Sequence, residues 1–219
     1  TRYNDRSPIW NKRNSDLKKK ISQTKLKKII LCDNHVFETN LLCDKYKNYF
    51  NKLISKLSLF QNPFLIIPID NIFFEKNNYQ KLTNTVIYFI NISKKKGVKI
   101  SFEVQVNLKI ILKFKKDLKN EFFKITFDTG NIFLIDKKNK NLVNYLDKAK
   151  MLINHIHLKD RNKSGDNVIL GTGLINFKNI IKCLKKNKYD KTFTFETNRG
   201  DNYLKTAKNN LIYLRRHFN

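Results

Sequence analysis

The stretch HIHLKD, residues 155–160, contains two of the four histidines of this 219-residue chain. It follows the apolar residues Met151 to Ile153 and precedes a polar loop that contains glycine. The spacing of two residues between His155 and His157 predicts a β-strand, because residues i and i+2 of a strand share one face. We therefore expect both imidazoles to point to the same side of a sheet.

Short β-rich segments alternate with longer helical patterns along most of the chain. The strands are predicted at residues 28–31, 64–69, 98–103, 123–128, 152–157 and 192–196. The helices are predicted at residues 16–26, 46–59, 79–96, 108–120, 142–149, 177–187 and 202–216. Such alternation indicates an α/β fold in which helices cover a parallel sheet, either a doubly wound sheet or a closed barrel.

The preferred fold class is a (β/α)8 TIM barrel, which needs eight strands and typically about 250 residues. Only six strands are predicted within the 219 residues, so we expect the chain to lack one or two N-terminal βα units. The start at Thr1, without a methionine, agrees with that expectation. Because no linker or low-complexity tract interrupts the pattern, residues 1–219 are predicted to form a single domain that is N-terminally incomplete.

The formal net charge of +27 would ordinarily indicate a nucleic acid or an anionic membrane as the partner. However, only 7 of the 45 basic residues are arginines, whereas proteins that read DNA bases rely on the bidentate guanidinium. Several lysine clusters also follow helical segments, where positive charge suits the helix dipole. We therefore prefer a solvated basic surface over a nucleic-acid interface.

The three cysteines show neither paired spacing nor a C-x-x-C motif. This usage favours a reducing, cytoplasmic location without a disulfide framework. The longest apolar run, residues 64–74, is interrupted by Pro68, Asp70 and Asn71, and it is far shorter than the roughly 20 residues of a membrane-spanning helix. No membrane span is predicted.

Four predicted strands end on residue types that bind metal ions: Glu103, Asp128, His157 and Glu196. The carboxyl ends of barrel strands meet at one mouth, so these side chains are expected to converge there. Three carboxylates and one imidazole favour Mn²⁺ or Mg²⁺ as a divalent cofactor, with Co²⁺ or Zn²⁺ as alternatives. Four protein ligands would leave about two positions of an octahedral ion for a substrate with adjacent oxygens.

Other roles for these residues are open at this point. Acids at strand ends also cap helices or bind lysines. His155 lies deeper in its strand than His157, and it is predicted to be a core histidine or a support for a metal ligand rather than a ligand. Gly171 and Gly173 either bring backbone N–H groups to a phosphate or simply form a turn before the next helix.

Five motifs occur in order along the chain: FEV at residues 102–104, FDTGN at 127–131, HIHLKD at 155–160, GTG at 171–173 and FTFET at 193–197. Together they resemble the xylose isomerase-like superfamily of TIM barrels, which includes enzymes of the AP endonuclease family 2 type. Within it the chain is most similar to the sugar phosphate isomerase/epimerase group. The resemblance covers roughly residues 75–215, and its motifs are specific for the superfamily but not for a substrate.

The resemblance implies that one divalent ion is held by Glu103, Asp128, His157 and Glu196, and that the two glutamates are the catalytic residues that move a proton. The first hypothesis is therefore a cytoplasmic sugar or sugar-phosphate isomerase or epimerase that acts through an enediolate. Its partner would be a small sugar, and a homo-oligomer is left open.

The resemblance also implies substrate contacts. Related ketose epimerases often carry a histidine where this chain has Asn131 and an arginine where it has Lys163, so the sugar is expected to differ. His155, Lys159 and Arg199 complete the predicted set of substrate-binding residues.

Three rival functions share the same fold. A polyol-ketone dehydratase would use Lys159 or His155 to protonate the departing hydroxyl. An AP-endonuclease-like DNA repair enzyme would explain the basic charge, but its three-metal cluster needs histidines where Asn131 and Asn167 stand. A non-catalytic barrel is disfavoured by the four intact ligands.

Overall fold

The computed structural model describes Lys19, Gln23 and residues 29–218. Apart from those first two positions, the predicted helix at residues 16–26 lies outside the described residues. The strands are β1 Ile29–Cys32, β2 Pro63–Ile69, β3 Lys99–Val104, β4 Ile125–Asp128, β5 Ile153–Leu158 and β6 Thr192–Phe195. The helices are α1 Asp44–Leu57, α2 Lys76–Lys95, α3 Leu108–Leu118, α4 Thr129–Asp136, α5 Asn139–Lys148, α6 Phe177–Lys186 and α7 Tyr203–Phe218.

The predicted alternation of strands and helices is confirmed from residue 29 onward, with boundaries that differ by at most three residues. Helix α4 was not predicted from the sequence. Its first residues, Thr129, Gly130 and Asn131, are typical of a loop, and its apolar residues follow one another without a helical period. The helix begins there because the side chain of Asp128 accepts a hydrogen bond from the backbone N–H of Asn131.

The described residues form two compact units. The first contains the described residues up to Glu103 together with Asp117–Phe123, and the second contains Val104–Lys116 and the described residues from Lys124 onward. The strand order is β1-β2-β3 in the first unit and β4-β5-β6 in the second. The pairs β1/β2, β4/β5 and β5/β6 are parallel. A single domain over residues 1–219 stays a prediction.

In the first unit, α1 and α2 bury aromatic side chains, and the rings of Phe50 and Phe89 lie 4.1 Å apart. Directly after β1, the fully buried Asp33 accepts hydrogen bonds from the hydroxyls of Tyr46 at 2.7 Å and Tyr49 at 2.8 Å. Burial raises the pKa of Asp33, and the hydrogen-bond donors around it only partly offset that rise.

In the second unit, the outward-facing residues of the strands pack against the helices. Phe127 on β4 contacts Tyr145 on α5 with ring centroids 5.4 Å apart, and Ile156 on β5 is fully buried. Beyond β5, residues Asp160–Arg161 pair with Asn167–Val168 as a short antiparallel hairpin. This packing fixes the carboxyl ends of β4, β5 and β6, where the site residues lie.

None of the helices in the described part of the chain is long and apolar enough to cross a membrane. Cys32, Cys43 and Cys183 form no disulfide with one another.

Candidate functional site

Three side chains with metal-binding atoms meet at the carboxyl ends of β4, β5 and β6. The parallel register places Asp128 directly beside His157, and the backbone N–H of Glu196 donates to the carbonyl of Leu158 at 3.0 Å. Ligand atoms of Asp128, His157 and Glu196 lie within 4.8 Å of one another. Asp128 and His157 are buried, whereas the Glu196 side chain is 48% exposed. The cluster is thus closed on one side and open to a ligand on the other.

The buried Lys159 sits among these acids. Its Nζ lies 2.8 Å from Oδ2 of Asp128 and 3.0 Å from Oε2 of Glu196. Burial alone would lower the pKa of Lys159, but the two carboxylates outweigh burial and raise it. For Asp128, burial alone would raise the pKa, but the neighbouring His157 and Lys159 outweigh burial, so the pKa of Asp128 lies well below its usual range. Both groups are therefore charged at neutral pH.

The two oxygens of Asp128 have different surroundings. Oδ1 caps α4 by accepting the N–H of Asn131 at 2.8 Å, whereas Oδ2 is buried, pairs with Lys159, and has no partner of hydrogen-bond geometry within the described residues. The alternative roles considered for acids at strand ends, capping and lysine pairing, thus both hold for Asp128. Oδ2 remains suited to a cation, because a hard oxygen donor beside a second carboxylate and an imidazole fits a divalent ion.

Thr129 holds the ends of β4 and β5 together. Its hydroxyl donates to the carbonyl of Lys159 at 2.7 Å and accepts the backbone N–H of Lys159 at 2.8 Å. The side chain is fully buried. The FDTG motif therefore supplies both the carboxylate and the hydroxyl that positions the lysine beside it.

His155 lies one layer below the cluster and is fully buried. Its Nδ1 lies 2.7 Å from Oγ1 of Thr192 and its Nε2 lies 2.9 Å from Oγ1 of Thr194. The ring also stands edge-on to His157, with centroids 5.2 Å apart. These contacts match the expectation of a core histidine that supports the neighbouring ligand His157. The predicted contact of His155 with substrate stays a prediction.

Three further predicted residues are Glu103, Lys163 and Arg199. Glu103 is on β3 in the first unit and is half-buried. Lys163 and Arg199 are exposed and make no hydrogen bond or ion pair within the part of the chain that the structure describes. Arg199 lines a shallow pocket of about 290 Å³ that also contains Glu196 and Tyr203. Arg199 therefore shares a pocket with Glu196.

Two roles were considered for Gly171 and Gly173, a phosphate contact and a turn before the next helix, and the structure supports the turn. Their N–H groups both donate to Oδ2 of the fully buried Asp160 at 2.9 Å, and the N–H of Ile175 donates to Oδ1 at 3.2 Å. These N–H groups are thus occupied by a carboxylate of the chain itself rather than directed at a phosphate. Gly173 has to be glycine, because a Cβ would collide with the carboxylate of Asp160.

Arg161 was missed by the sequence analysis. Its guanidinium donates to Oδ1 of Asn131 at 2.9 Å and to the carbonyl of Gly165 at 2.8 Å. The signal was available, since arginine is rare in this chain and Arg161 directly follows HIHLKD. The contact with Asn131 joins residues 30 positions apart, and it depends on the path of the hairpin after β5.

Residues 73–217 match the family described as xylose isomerase-like TIM barrel. The chain belongs to this family. An uncharacterized protein of Methanocaldococcus jannaschii, MJ1614, is 36% identical over 121 residues, which cover 51% of this chain and 46% of that protein. The chain thus spans about half the length of the curated relative that it matches.

Solved structures share the fold at low sequence identity. The xylose isomerase domain protein of Planctomyces limnophilus superimposes with a TM-score of 0.73 at 19% identity, covering 94% of this chain and 82% of that one. The 3-keto-D-glucoside 4-epimerase YcjR of E. coli gives 0.70 at 14% identity, covering 92% and 84%. The IOLI protein with a bound zinc atom gives 0.70 at 13%, covering 95% and 81%. The predicted TIM-barrel class is therefore confirmed.

Proposed function

We propose that this protein is a metal-dependent isomerase or epimerase that acts on a sugar or sugar phosphate. The observation that carries the proposal is the convergence of Asp128, His157 and Glu196, whose ligand atoms lie within 4.8 Å of one another at the strand ends. Such a position is where TIM-barrel enzymes keep their chemistry. The sugar epimerases among the proteins of similar fold, such as YcjR, support the same class of reaction.

Glu103 is proposed as the fourth ligand. It ends the segment ISFE as Asp128 ends ITFD and Glu196 ends FTFE, so all three acids occupy the same phase of a β-strand. Mn²⁺ or Mg²⁺ suits this oxygen-rich set best, while the zinc atom of the IOLI protein supports Zn²⁺ as an alternative. When bound, the ion would polarise a carbonyl and its neighbouring hydroxyl.

Glu196 is proposed to move the proton α to the carbonyl, with Glu103 as its partner. The Glu196 carboxylate is 48% exposed, so it can reach a substrate, and His157 and Lys159 both hold its Oε2 at 3.0 Å. These contacts fix one oxygen and leave the other to accept the proton. The charged Lys159 would stabilise the negative charge of the enediolate, because fixed charges act strongly in a site that excludes water.

The test is carbon-bound deuterium exchange. The protein, loaded with Mn²⁺, is incubated in D₂O with ketoses and ketose phosphates, and the products are analysed by NMR. We expect exchange in the wild type and its loss, by at least about 100-fold, in Glu196→Gln. Glu121→Gln, at an exposed position, is the matched control and should keep full exchange. If no sugar exchanges and abasic DNA is cleaved instead, the proposal is wrong.

A dehydratase is the second candidate, and the position of Lys159 supports it. Removal of a hydroxyl group as water needs a proton donor, and the Nζ of Lys159 lies within 3.0 Å of both Asp128 and Glu196. Mass spectrometry of the same incubations separates the two reactions, since dehydration lowers the product mass by one water and epimerisation does not.

A further inference from the structure

The guanidinium of Arg161, in the second unit, is hydrogen-bonded to neutral groups. The group has five N–H donors, of which one donates to Asn131 and one to the carbonyl of Gly165. Its Nε is buried and has no hydrogen-bond partner within the described residues. Both acceptors are neutral. Two hydrogen bonds thus orient the side chain, but neither neutralises its positive charge.

The charge of Arg161 contrasts with that of its neighbour Lys159. Lys159 pairs with two carboxylates at 2.8 and 3.0 Å. Arg161, which is half-buried, has no carboxylate within ion-pair distance in the described part of the chain. A half-buried cation without a counter-ion is costly, and an anionic ligand would relieve that cost.

Gly130 places this guanidinium beside the candidate site. A Cβ built on Gly130 would lie 2.7 Å from Cγ of Lys159 and 2.9 Å from Nε of Arg161. The stem of the lysine and the guanidinium therefore both lie against the turn that follows Asp128. Asn131, which holds Arg161, is also the residue that Asp128 caps. The cation and the acid cluster consequently share one end of the second unit.

We propose that Arg161, oriented by Asn131, binds an anionic group of the substrate, either a phosphate ester or a carboxylate. This inference rests on the proposed function and names the substrate class, a sugar that carries an oxyanion. A guanidinium suits this role because two parallel N–H groups can engage two oxygens of a phosphate or carboxylate. Lys163, exposed in the same hairpin, adds positive charge nearby.

Calorimetric binding in the presence of Mg²⁺ tests the proposal without requiring turnover. The probes are D-fructose, D-fructose 6-phosphate and D-glucuronate. We expect the wild type to bind at least one anionic probe about 10-fold or more tightly than D-fructose, as a charge-assisted bidentate contact provides. Arg161→Gln should lose that preference. Arg215→Gln removes the same charge from an exposed position on α7 and should keep it.

The outcomes separate this proposal from the proposed function. A wild type without anion preference, or a preference that survives in Arg161→Gln, overturns the anion site even if deuterium exchange occurs on neutral sugars. Loss of preference in Arg161→Gln supports the site even if no exchange is found. Since Arg161→Gln could weaken the hairpin, Arg161→Lys is measured as well. Lysine keeps the positive charge but lacks the two parallel N–H groups of the guanidinium, so the preference of this variant for anionic probes should fall several-fold. An unchanged preference contradicts bidentate binding.

Discussion

Oδ2 of Asp128 lies 2.8 Å from Nζ of Lys159, and the two side chains are only 0% and 7% exposed. This ion pair joins the end of β4 to the residue that follows β5. Removing one partner of a buried pair leaves an uncompensated charge and typically costs about 3–5 kcal/mol. The pair therefore links the stability of the second unit to the carboxylate proposed to bind the metal ion.

Replacing Asp128 by Asn should weaken Mn²⁺ binding by at least about 100-fold, since loss of a direct ligand exceeds the 10–100-fold effect of losing a supporting hydrogen bond. Asparagine is also a good N-cap, so α4 should still form. Electron paramagnetic resonance titration with Mn²⁺ measures the affinity. Asp190→Asn, at a side chain that is 79% exposed, is the control. Equal Mn²⁺ affinities of Asp128→Asn and the wild type would show that Asp128 is not a ligand.

Replacing Lys159 by Met should destabilise the metal-free protein by roughly 3 kcal/mol, because two carboxylates lose their shared counter-ion. The same change should increase the stabilisation by Mg²⁺ or Mn²⁺, since the ion would restore the missing positive charge. Thermal unfolding with and without the metal measures both effects. Lys191→Met removes a lysine from an exposed pair and should change stability by about 1 kcal/mol or less. A smaller metal-induced shift in Lys159→Met than in the wild type would contradict this prediction.

The pKa of Asp128 is lower in the folded protein than in the unfolded chain, so its ionised form stabilises the fold. That contribution is fully present above the unfolded pKa near 3.9 and is lost as the pH falls through the folded pKa. Urea unfolding from about pH 6 to pH 2 should therefore show a steeper loss of unfolding free energy in the wild type than in Asp128→Asn. Parallel pH profiles of the two proteins would refute the assignment.

Asp33 provides the opposite case in the first unit. Burial raises its folded pKa, so its contribution to stability is present below the unfolded pKa and is lost as the pH rises through the folded pKa. Asp33→Asn should therefore lose less unfolding free energy than the wild type as the pH rises from about 4 to 7. The same urea titrations measure both carboxyl groups.

Replacing Gly130 by Ala should displace Lys159, because the added methyl would lie 2.7 and 2.8 Å from Cγ and Cδ of the lysine. Such overpacking typically costs about 1–3 kcal/mol, and we expect the loss in exchange activity to exceed the loss in stability. A double-mutant cycle with Lys159→Ala checks the cause, since truncating the lysine should reduce the cost of the methyl. Additive costs would place the clash elsewhere.

The elements and the acid cluster could be predicted because both depend on local patterns. The period of two in ITFD, NHIH and FTFE predicts that Asp128, His157 and Glu196 end their strands and point to the same face of the sheet. Parallel strands in register then bring those ends together. Helix α4 could not be predicted, since its start depends on the cap that Asp128 provides and not on a helical period of its own sequence.

The alternation of strands and helices and the residue types at the strand ends follow from the sequence alone, because side-chain periodicity and burial are properties of short segments. Three other features depend on how the chain folds: Lys159 lies between Asp128 and Glu196, Asp160 accepts the N–H groups of Gly171 and Gly173, and Arg161 contacts Asn131. Each of these contacts joins residues separated by 11 to 37 positions. Strand register and the path of one loop set such contacts, and no local pattern encodes them.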